Sequence, residues 1–219
     1  MRFYQSITAD ITIFTIKDGQ LKVLLIKRTN EPFKNKWALP GGFLYQNETP
    51  EKAALRVLKA KAGIKNVYIE QLYTFGGFGR DPRGNIITVA YFALVPREKI
   101  KISRSDKIQT PTFYSLKKLP SLAFDHGRII KYALKRLQAK LEYTNAIYAL
   151  LPEYFTFNQL QKAYEITLGT KLDKRNFRKK FLMLKLIKPT KKMLRGTRQR
   201  PAQIYQFVSR KPAELKKFF

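Results

Sequence analysis

Apolar, largely β-branched side chains fill residues 7–17 (ITADITIFTIK) and 21–28 (LKVLLIKR), and the break between them is Asp18-Gly19-Gln20. Two such runs around an Asp-Gly turn predict a β-hairpin. A Gly/Pro loop, Leu39-Pro40-Gly41-Gly42, follows a charged stretch. Thr49 then stands as an N-cap with Pro50 in the first helical position, which predicts a helix running to about Ala62 and closed by Gly63. Lys52 occupies the position where a capping box needs Glu, so that box is incomplete. Strands are predicted around 67–76 and 85–95, flanking the turn 80–85, with a further strand at 112–116.

Beyond Pro120 the apolar spacing changes. Ile129, Ile130, Ala133, Leu134, Leu137 and Leu141 recur at helical period and predict one long amphipathic helix over 122–143. From Ala146 onward the pattern predicts three helices, at 145–151, 156–168 and 174–185, and then a hairpin at 187–207. The second and third helices are separated by a short segment containing Gly169, and Asp173 is placed to cap the third. Phe177, Phe181, Leu182 and 184–186 form its expected buried side. The fold class is therefore α+β: an α/β/α sandwich over 1–143, including the connecting helix, then a winged helix-turn-helix over 144–219.

Composition sharpens this picture in two places. The 219 residues hold 44 Lys and Arg against 15 Asp and Glu, a net charge of +29. Self-repulsion of that size is most readily tolerated by a protein whose partner is a polyanion. Between Lys171 and Arg200 stand 13 Lys/Arg and one acid, Asp173, so the charge is concentrated on the third helix and the hairpin. Cysteine is absent and His126 is the sole histidine, which excludes disulfides, thiolate chemistry and His-cluster metal sites. No apolar run reaches the ~20 residues of a membrane span, and the N-terminus lacks a signal-peptide layout. The expectation is a cytoplasmic protein without a membrane partner.

Candidate DNA contacts follow from side-chain chemistry. Lys174, Arg175, Asn176, Arg178 and Lys179 occupy the first turns of the third helix, the part of a helix-turn-helix that meets base edges. Arg bridges guanine O6/N7 and Asn bridges adenine N6/N7, so Arg175, Asn176 and Arg178 are the candidate readers. Lys191, Lys192, Arg195, Arg198 and Arg200 surround Gly196 in the hairpin, where a wing grips phosphates or enters the minor groove. A basic, merely solvated hairpin is the plainer alternative.

The N-terminal half resembles the Nudix family. Gly42, Glu48, Arg56 and Gly63-Ile64 reproduce the spacing of the box G-x5-E-x7-R-E-U-x-E-E-x-G-U, in which U is apolar, and 37–42 resembles the approach to it. Nudix hydrolases cut nucleoside diphosphate linkages with Mg²⁺ held by glutamates, a hard ion in a carboxylate cage. The pattern places those carboxylates at 57, 60 and 61, where this sequence has Val57, Ala60 and Lys61. The resemblance therefore implies a nucleotide-holding scaffold without catalysis, and neither a metal nor a cofactor is expected.

Candidate effector contacts are the cations Arg28, Lys36, Arg56 and Arg80, with Arg83 beside them; the aromatics Trp37, Phe43, Tyr73 and Phe75; the loop glycines Gly41 and Gly42; and Asp81 and His126. Arg56 has a second reading, as a brace of the loop onto the helix, and His126 one as a structural hydrogen-bonding group. The segment 74–91 resembles the strand-turn-strand of ADP-ribose-handling Nudix proteins, and 122–126 resembles their helix opening.

The whole chain resembles the Nudix-related transcriptional regulators of NrtR type. The C-terminal half carries that likeness in 157–165, Gly169, 172–179 and Arg200-Pro201-Ala202 with Tyr205 and Phe207; Gln199 stands where relatives often have Gly. The family implies a homodimeric repressor on a palindromic double-stranded operator, responsive to ADP-ribose or a related nucleotide. Its members regulate NAD metabolism and related ones sugar use. Two rivals remain at this point: an active ADP-ribose pyrophosphatase with an appended nucleic-acid-binding domain, and an RNA-binding protein acting through charge, for which stacking aromatics on an exposed sheet would be the signature.

Overall fold

A computed structural model describes residues 6–100, 111–194 and 201–215. The chain divides into two compact units, Met1–Arg136 and Leu137–Phe219.

The first unit is built on β1 (Ser6–Lys17), which turns through Asp18 and Gly19, both at positive φ, into β2 (Gln20–Lys27). Positive φ at both turn residues suits the twist of a two-residue hairpin. Short strands β3 (Trp37–Ala38) and β4 (Gly41–Phe43) precede helix α1 (Pro50–Ala62), and β5 (Tyr68–Phe75), β6 (Ile86–Leu94) and β7 (Thr112–Ser115) complete a seven-stranded sheet of order β3-β2-β1-β6-β5. β1 lies parallel to β6 from Ser6↔Ile86 to Phe14↔Leu94. Its other edge is shared: residues 8–10 pair with β4 and residues 14–17 with β2. This fork opens a gap beside Asp10.

α1 starts and ends where its capping residues dictate. The Thr49 side chain accepts the Lys52 N–H at 3.3 Å, and Gly63 takes the left-handed conformation at φ 64. Ala53, Ala54, Val57, Leu58 and Ala62 lie against Ala9, Ile11 and Ile13 of β1 in one apolar cluster. Alternate residues of a strand point to opposite faces, so Thr8, Asp10 and Thr12 belong to the other face of the sheet.

The long helix α2 is His126–Tyr143, four residues shorter at its start than the spacing predicts. Phe124 has φ 54, a value closed to helix interiors, and the preceding chain pairs with β3 instead, through Trp37 N–H to Ser121 O (3.3 Å) and Ala123 N–H to Trp37 O (2.8 Å). The two compact units divide inside α2, between Arg136 and Leu137, ahead of the 143/144 boundary drawn from the sequence.

In the second unit the expected helix at 145–151 is a single 3-10 turn, Ala146–Ala149. Asn145 does not cap it. Its side chain binds the chain terminus instead, donating to Lys211 O (3.0 Å) and accepting Ala213 N–H (2.8 Å). Pro152 disfavours helix at the residue before it. Arg210 closes the turn by donating to the carbonyls of Tyr148, Leu151 and Pro152.

There follow β8 (Phe155–Thr156), α3 (Phe157–Leu168), α4 (Lys174–Met183), β9 (Ile187–Leu194) and β10 (Ala202–Phe207), with sheet order β8-β10-β9. α3 opens with a full capping box between Thr156 and Gln159. α4 ends before 185 because Lys185 has φ 51. Phe157, Tyr164, Phe177, Phe181 and Tyr205 interlock edge-to-face as the unit's core. Leu182, expected on the buried side, is 42% exposed, because Phe177 and Phe181 already fill the inward stripe.

Candidate functional site

A cavity of about 400 Å³ opens at the fork of β1, a size within the range of small-ligand pockets. Asp10 sits at its base against the Gly41 backbone: a Cβ at Gly41 would fall 1.8 Å from Asp10 Oδ1, so only glycine fits. Arg80, almost fully buried, donates to Asp10 Oδ2 (3.4 Å), to Asp125 Oδ2 (3.2 Å) and to Ile86 O (3.4 Å). His126 Nδ1 accepts the Leu39 N–H at 2.9 Å, which leaves the proton of the neutral ring on Nε2, 3.9 Å from Asp10 Oδ2. Burial holds the His126 pKa below the usual imidazole range despite Asp10 and Asp125 nearby.

The walls are cationic and aromatic. Arg83 forms a bidentate pair with Asp81 at 2.9 and 2.6 Å. Burial pushes the Asp81 carboxyl up, but hydrogen bonds from the Arg83 side chain and backbone outweigh it and leave the pKa lowered. The Arg83 guanidinium also faces Phe43 (5.1 Å) and Phe124 (5.4 Å), and Arg28 lies 4.7 Å over Phe124. Arg28 ties down the loop ahead of β3 through Pro32 O and Asn30 O. Lys61, from the last turn of α1, donates to the carbonyl of Gly41. In all, Lys27, Arg28, Lys61, Arg80 and Arg83 face Asp10, Glu31 and Asp81, an excess of two positive charges.

Of the sequence-derived effector candidates, the cavity gathers Arg28, Gly41, Gly42, Phe43, Arg80, Asp81 and His126, and also Arg83. Five others are placed outside its lining. Arg56 binds both oxygens of Glu48 (2.8 and 2.7 Å) and Phe43 O (2.9 Å), with its guanidinium 3.8 Å over Tyr45, so it braces the 43–48 loop on α1. Trp37 stands edge-on to Tyr114, and Lys36 lies over Phe33. Tyr73 and Phe75 join Tyr132 of α2 in an aromatic cluster. Among the charged and aromatic cavity residues, the sequence reading missed Asp10, Lys27, Glu31, Lys61 and Phe124. For Asp10 the signal was an acid inside an apolar strand, and for Lys61 a cation at a position of the Nudix box.

The second surface is α4. Its N-terminus is capped by Asp173, whose carboxylate accepts the Asn176 N–H at 2.8 Å. The turn before it is fixed by Glu165, which accepts the Leu172 N–H (3.0 Å) and a Gln161 N–H (3.2 Å). Lys174, Arg175, Asn176 and Lys179 are exposed on the outward face. Arg178 is exposed too, and its guanidinium lies 4.8 Å over Phe157 and reaches the Tyr205 hydroxyl at 3.4 Å. Lys191 and Lys192 are exposed on β9, whereas Arg195, Arg198 and Arg200 lie outside the described residues.

Comparison with known proteins gives a NUDIX domain match at residues 7–133 and a match to the NrtR DNA-binding winged helix domain at 147–207. The chain is 40% identical over 206 residues to an ADPR responsive transcriptional repressor, NtrR, of Acinetobacter baylyi, covering 92% of this chain and 81% of that one. The chain belongs to the NrtR family. Among solved structures it is similar to Shewanella oneidensis NrtR complexed with a 27mer DNA (38% identity, TM-score 0.82, covering 92% of this chain and 93% of that one). It is also similar to the NUDIX domain of the same Shewanella protein complexed with ADP ribose (39% identity, TM-score 0.57, covering 62% and 90%).

Within this NrtR-type fold the magnesium site of Nudix hydrolases can be tested on the donors present. Val57 is buried in the apolar cluster, Ala60 carries only a methyl group, and Lys61 is a cation. Glu48 accepts from Arg56 at both oxygens and from the Tyr45 N–H, and the Arg56 hydrogen bond holds its pKa down to about 2. Among the described residues no group of three or more His, Asp or Glu is disposed to hold a metal ion. The donor set does not fit Mg²⁺.

Proposed function

We propose that this protein is a DNA-binding transcriptional repressor whose Nudix domain binds ADP-ribose, or a nucleotide like it, without hydrolysing it. The observation that supports this most directly is the cavity: two surplus positive charges match the two negative charges of a diphosphate diester, and the box positions that would hold a water-activating metal carry Val57, Ala60 and Lys61. The Acinetobacter relative is named as responsive to ADPR, and the Shewanella structures contain DNA and ADP ribose. Exposed Lys174, Arg175, Asn176 and Lys179 on a capped helix supply the donors that duplex DNA requires.

The working form is a homodimer on a palindromic operator, since two-fold protein symmetry matches two half-sites. The cytoplasm, where the DNA lies, is its place of action; among the described residues no helix is long and apolar enough to cross a membrane.

Selection of bound duplexes from a random pool, with and without ADP-ribose, tests the reading as a whole. The expected product is a palindromic consensus whose recovery changes with the ligand. Brisk Mg²⁺-dependent release of AMP from ADP-ribose, abolished in Glu48→Gln, would instead establish a pyrophosphatase. Preference for single-stranded RNA over duplex DNA would establish the RNA-binding rival.

A further inference from the structure

We infer that the Lys61 ammonium takes over the charge role of the metal ion, so that the cavity holds a diphosphate without any divalent cation. This rests on the nucleotide-binding reading above and deepens it. Lys61 stands where the Nudix pattern has a magnesium-binding glutamate, and it lines the cavity from the last turn of α1. A glutamate there carries negative charge and needs Mg²⁺ between itself and the phosphates. A lysine reverses the sign at the same helical position and needs no intermediary.

Of the five cavity cations three are committed to protein partners, which leaves Lys61, with Lys27 at the end of β2, to act on a guest. Arg80 is held by Asp10 and Asp125, and Arg83 by both oxygens of Asp81. Arg28 is bonded to the carbonyls of its own loop. The hydrogen bond of Lys61 goes to the neutral carbonyl of Gly41, while an ammonium has three N–H donors in all. Burial lowers its pKa, with Asp10 opposing that shift and Arg28 and Arg56 adding to it. An incoming diphosphate adds counter-charge beyond that of Asp10. An ammonium binds a phosphate oxygen but, unlike Mg²⁺, neither polarises P–O bonds as a Lewis acid nor delivers an activated water. The same substitution that removes catalysis thereby keeps affinity.

Isothermal titration of the full-length protein with ADP-ribose, in EDTA and again in MgCl₂, is the test. The wild-type Kd should agree between the two conditions within about twofold. Lys61→Met should weaken binding about tenfold in both, the loss of one charge-assisted contact. Lys61→Arg should retain most of the affinity, and AMP, which lacks the diphosphate, should lose less than ADP-ribose on Lys61→Met. A wild-type protein that binds only with Mg²⁺, or a Lys61→Met variant that binds like wild type, overturns the inference and leaves the nucleotide-sensing reading intact. Absence of wild-type binding in both buffers overturns the nucleotide-sensing reading, and this inference with it. The Mg²⁺ comparison on wild-type protein needs no variant to fold, and thermal denaturation of Lys61→Met reports whether that variant is folded.

Discussion

The methyl group of an alanine at position 41 would meet the Asp10 carboxylate at 1.8 Å, inside any permissible contact. Relief requires Asp10 to move, and Asp10 is held by Arg80, which also binds Asp125. Gly41→Ala should therefore cost ~1–3 kcal/mol of stability, the usual range for overpacking, and should abolish ADP-ribose binding; thermal denaturation and calorimetry read the two effects. A variant that binds normally would show that the fork of β1 does not hold the ligand.

Glu48 offers a separate test through pH. Its pKa is depressed to about 2 by the Arg56 hydrogen bond, so its contribution to stability is complete above the unfolded value near 4.5 and is lost as pH falls toward 2. The stability gap between wild type and Glu48→Gln should be constant from neutral pH down to about 5 and close between there and pH 2. A gap insensitive to acid would mean the pair is not formed. At this scale the sequence was informative about residue types but not about directions. Arg56 lies in the Nudix box, where the sequence left it open between effector contact and brace, and Arg80 lies beyond it; the fold sets the first on Glu48 and the second on Asp10. Asp10 was hidden because a single acid in an apolar strand says nothing of which face it occupies until the strand is paired.

Elements whose ends are set by local chemistry were read well: α1 begins at Pro50 and stops at Gly63, and β1 turns at Asp18-Gly19, all from short-range preferences. Elements whose ends depend on distant partners were not. The stretch after Thr144 is apolar enough for a helix, but Asn145 and Arg210 commit it to the chain terminus, and a two-residue strand such as β8 exists only because β10 lies beside it. The same distinction separates the residues of α4. Arg175 and Arg178 are both exposed, but Arg178 also lies over Phe157 and reaches the Tyr205 hydroxyl. Arg175→Ala should relax base preference at one operator position, at a cost of about 1–3 kcal/mol in specific binding. Arg178→Ala should instead lower the melting temperature, with a smaller effect on which base is preferred. Lys191→Ala on β9 should weaken specific and random duplexes alike and reduce the salt slope of binding by about one. Binding measured on matched and scrambled duplexes at several salt concentrations separates the three, and equal losses on both duplexes for Arg175→Ala would remove direct readout by that side chain.

A net charge of +29 has consequences that no single surface contains. Any polyanion is attracted to such a protein, so ADP-ribose has two routes to weaken a DNA complex: occupying the cavity, or competing as an anion at the basic helix and wing. The routes differ in ways the whole molecule reveals. Coupling through the cavity is a thermodynamic linkage, so the factor by which ADP-ribose changes operator affinity must equal the factor by which operator changes ADP-ribose affinity, typically about 5–150-fold for coupled sites. That factor belongs to a difference between two states of the protein and should vary little with salt. Anion competition, by contrast, fades as salt rises, because the counterions displaced by DNA and by the nucleotide are the same. It also survives any change confined to the cavity, such as Gly41→Ala. The expected outcome is an equal factor measured from both sides, at low and at moderate salt, and its disappearance in Gly41→Ala while the unliganded protein still binds its operator. A nucleotide effect that persists in that variant, or that vanishes with added salt in the wild type, would place the response on the DNA-binding surface and leave the Nudix cavity without a role in it.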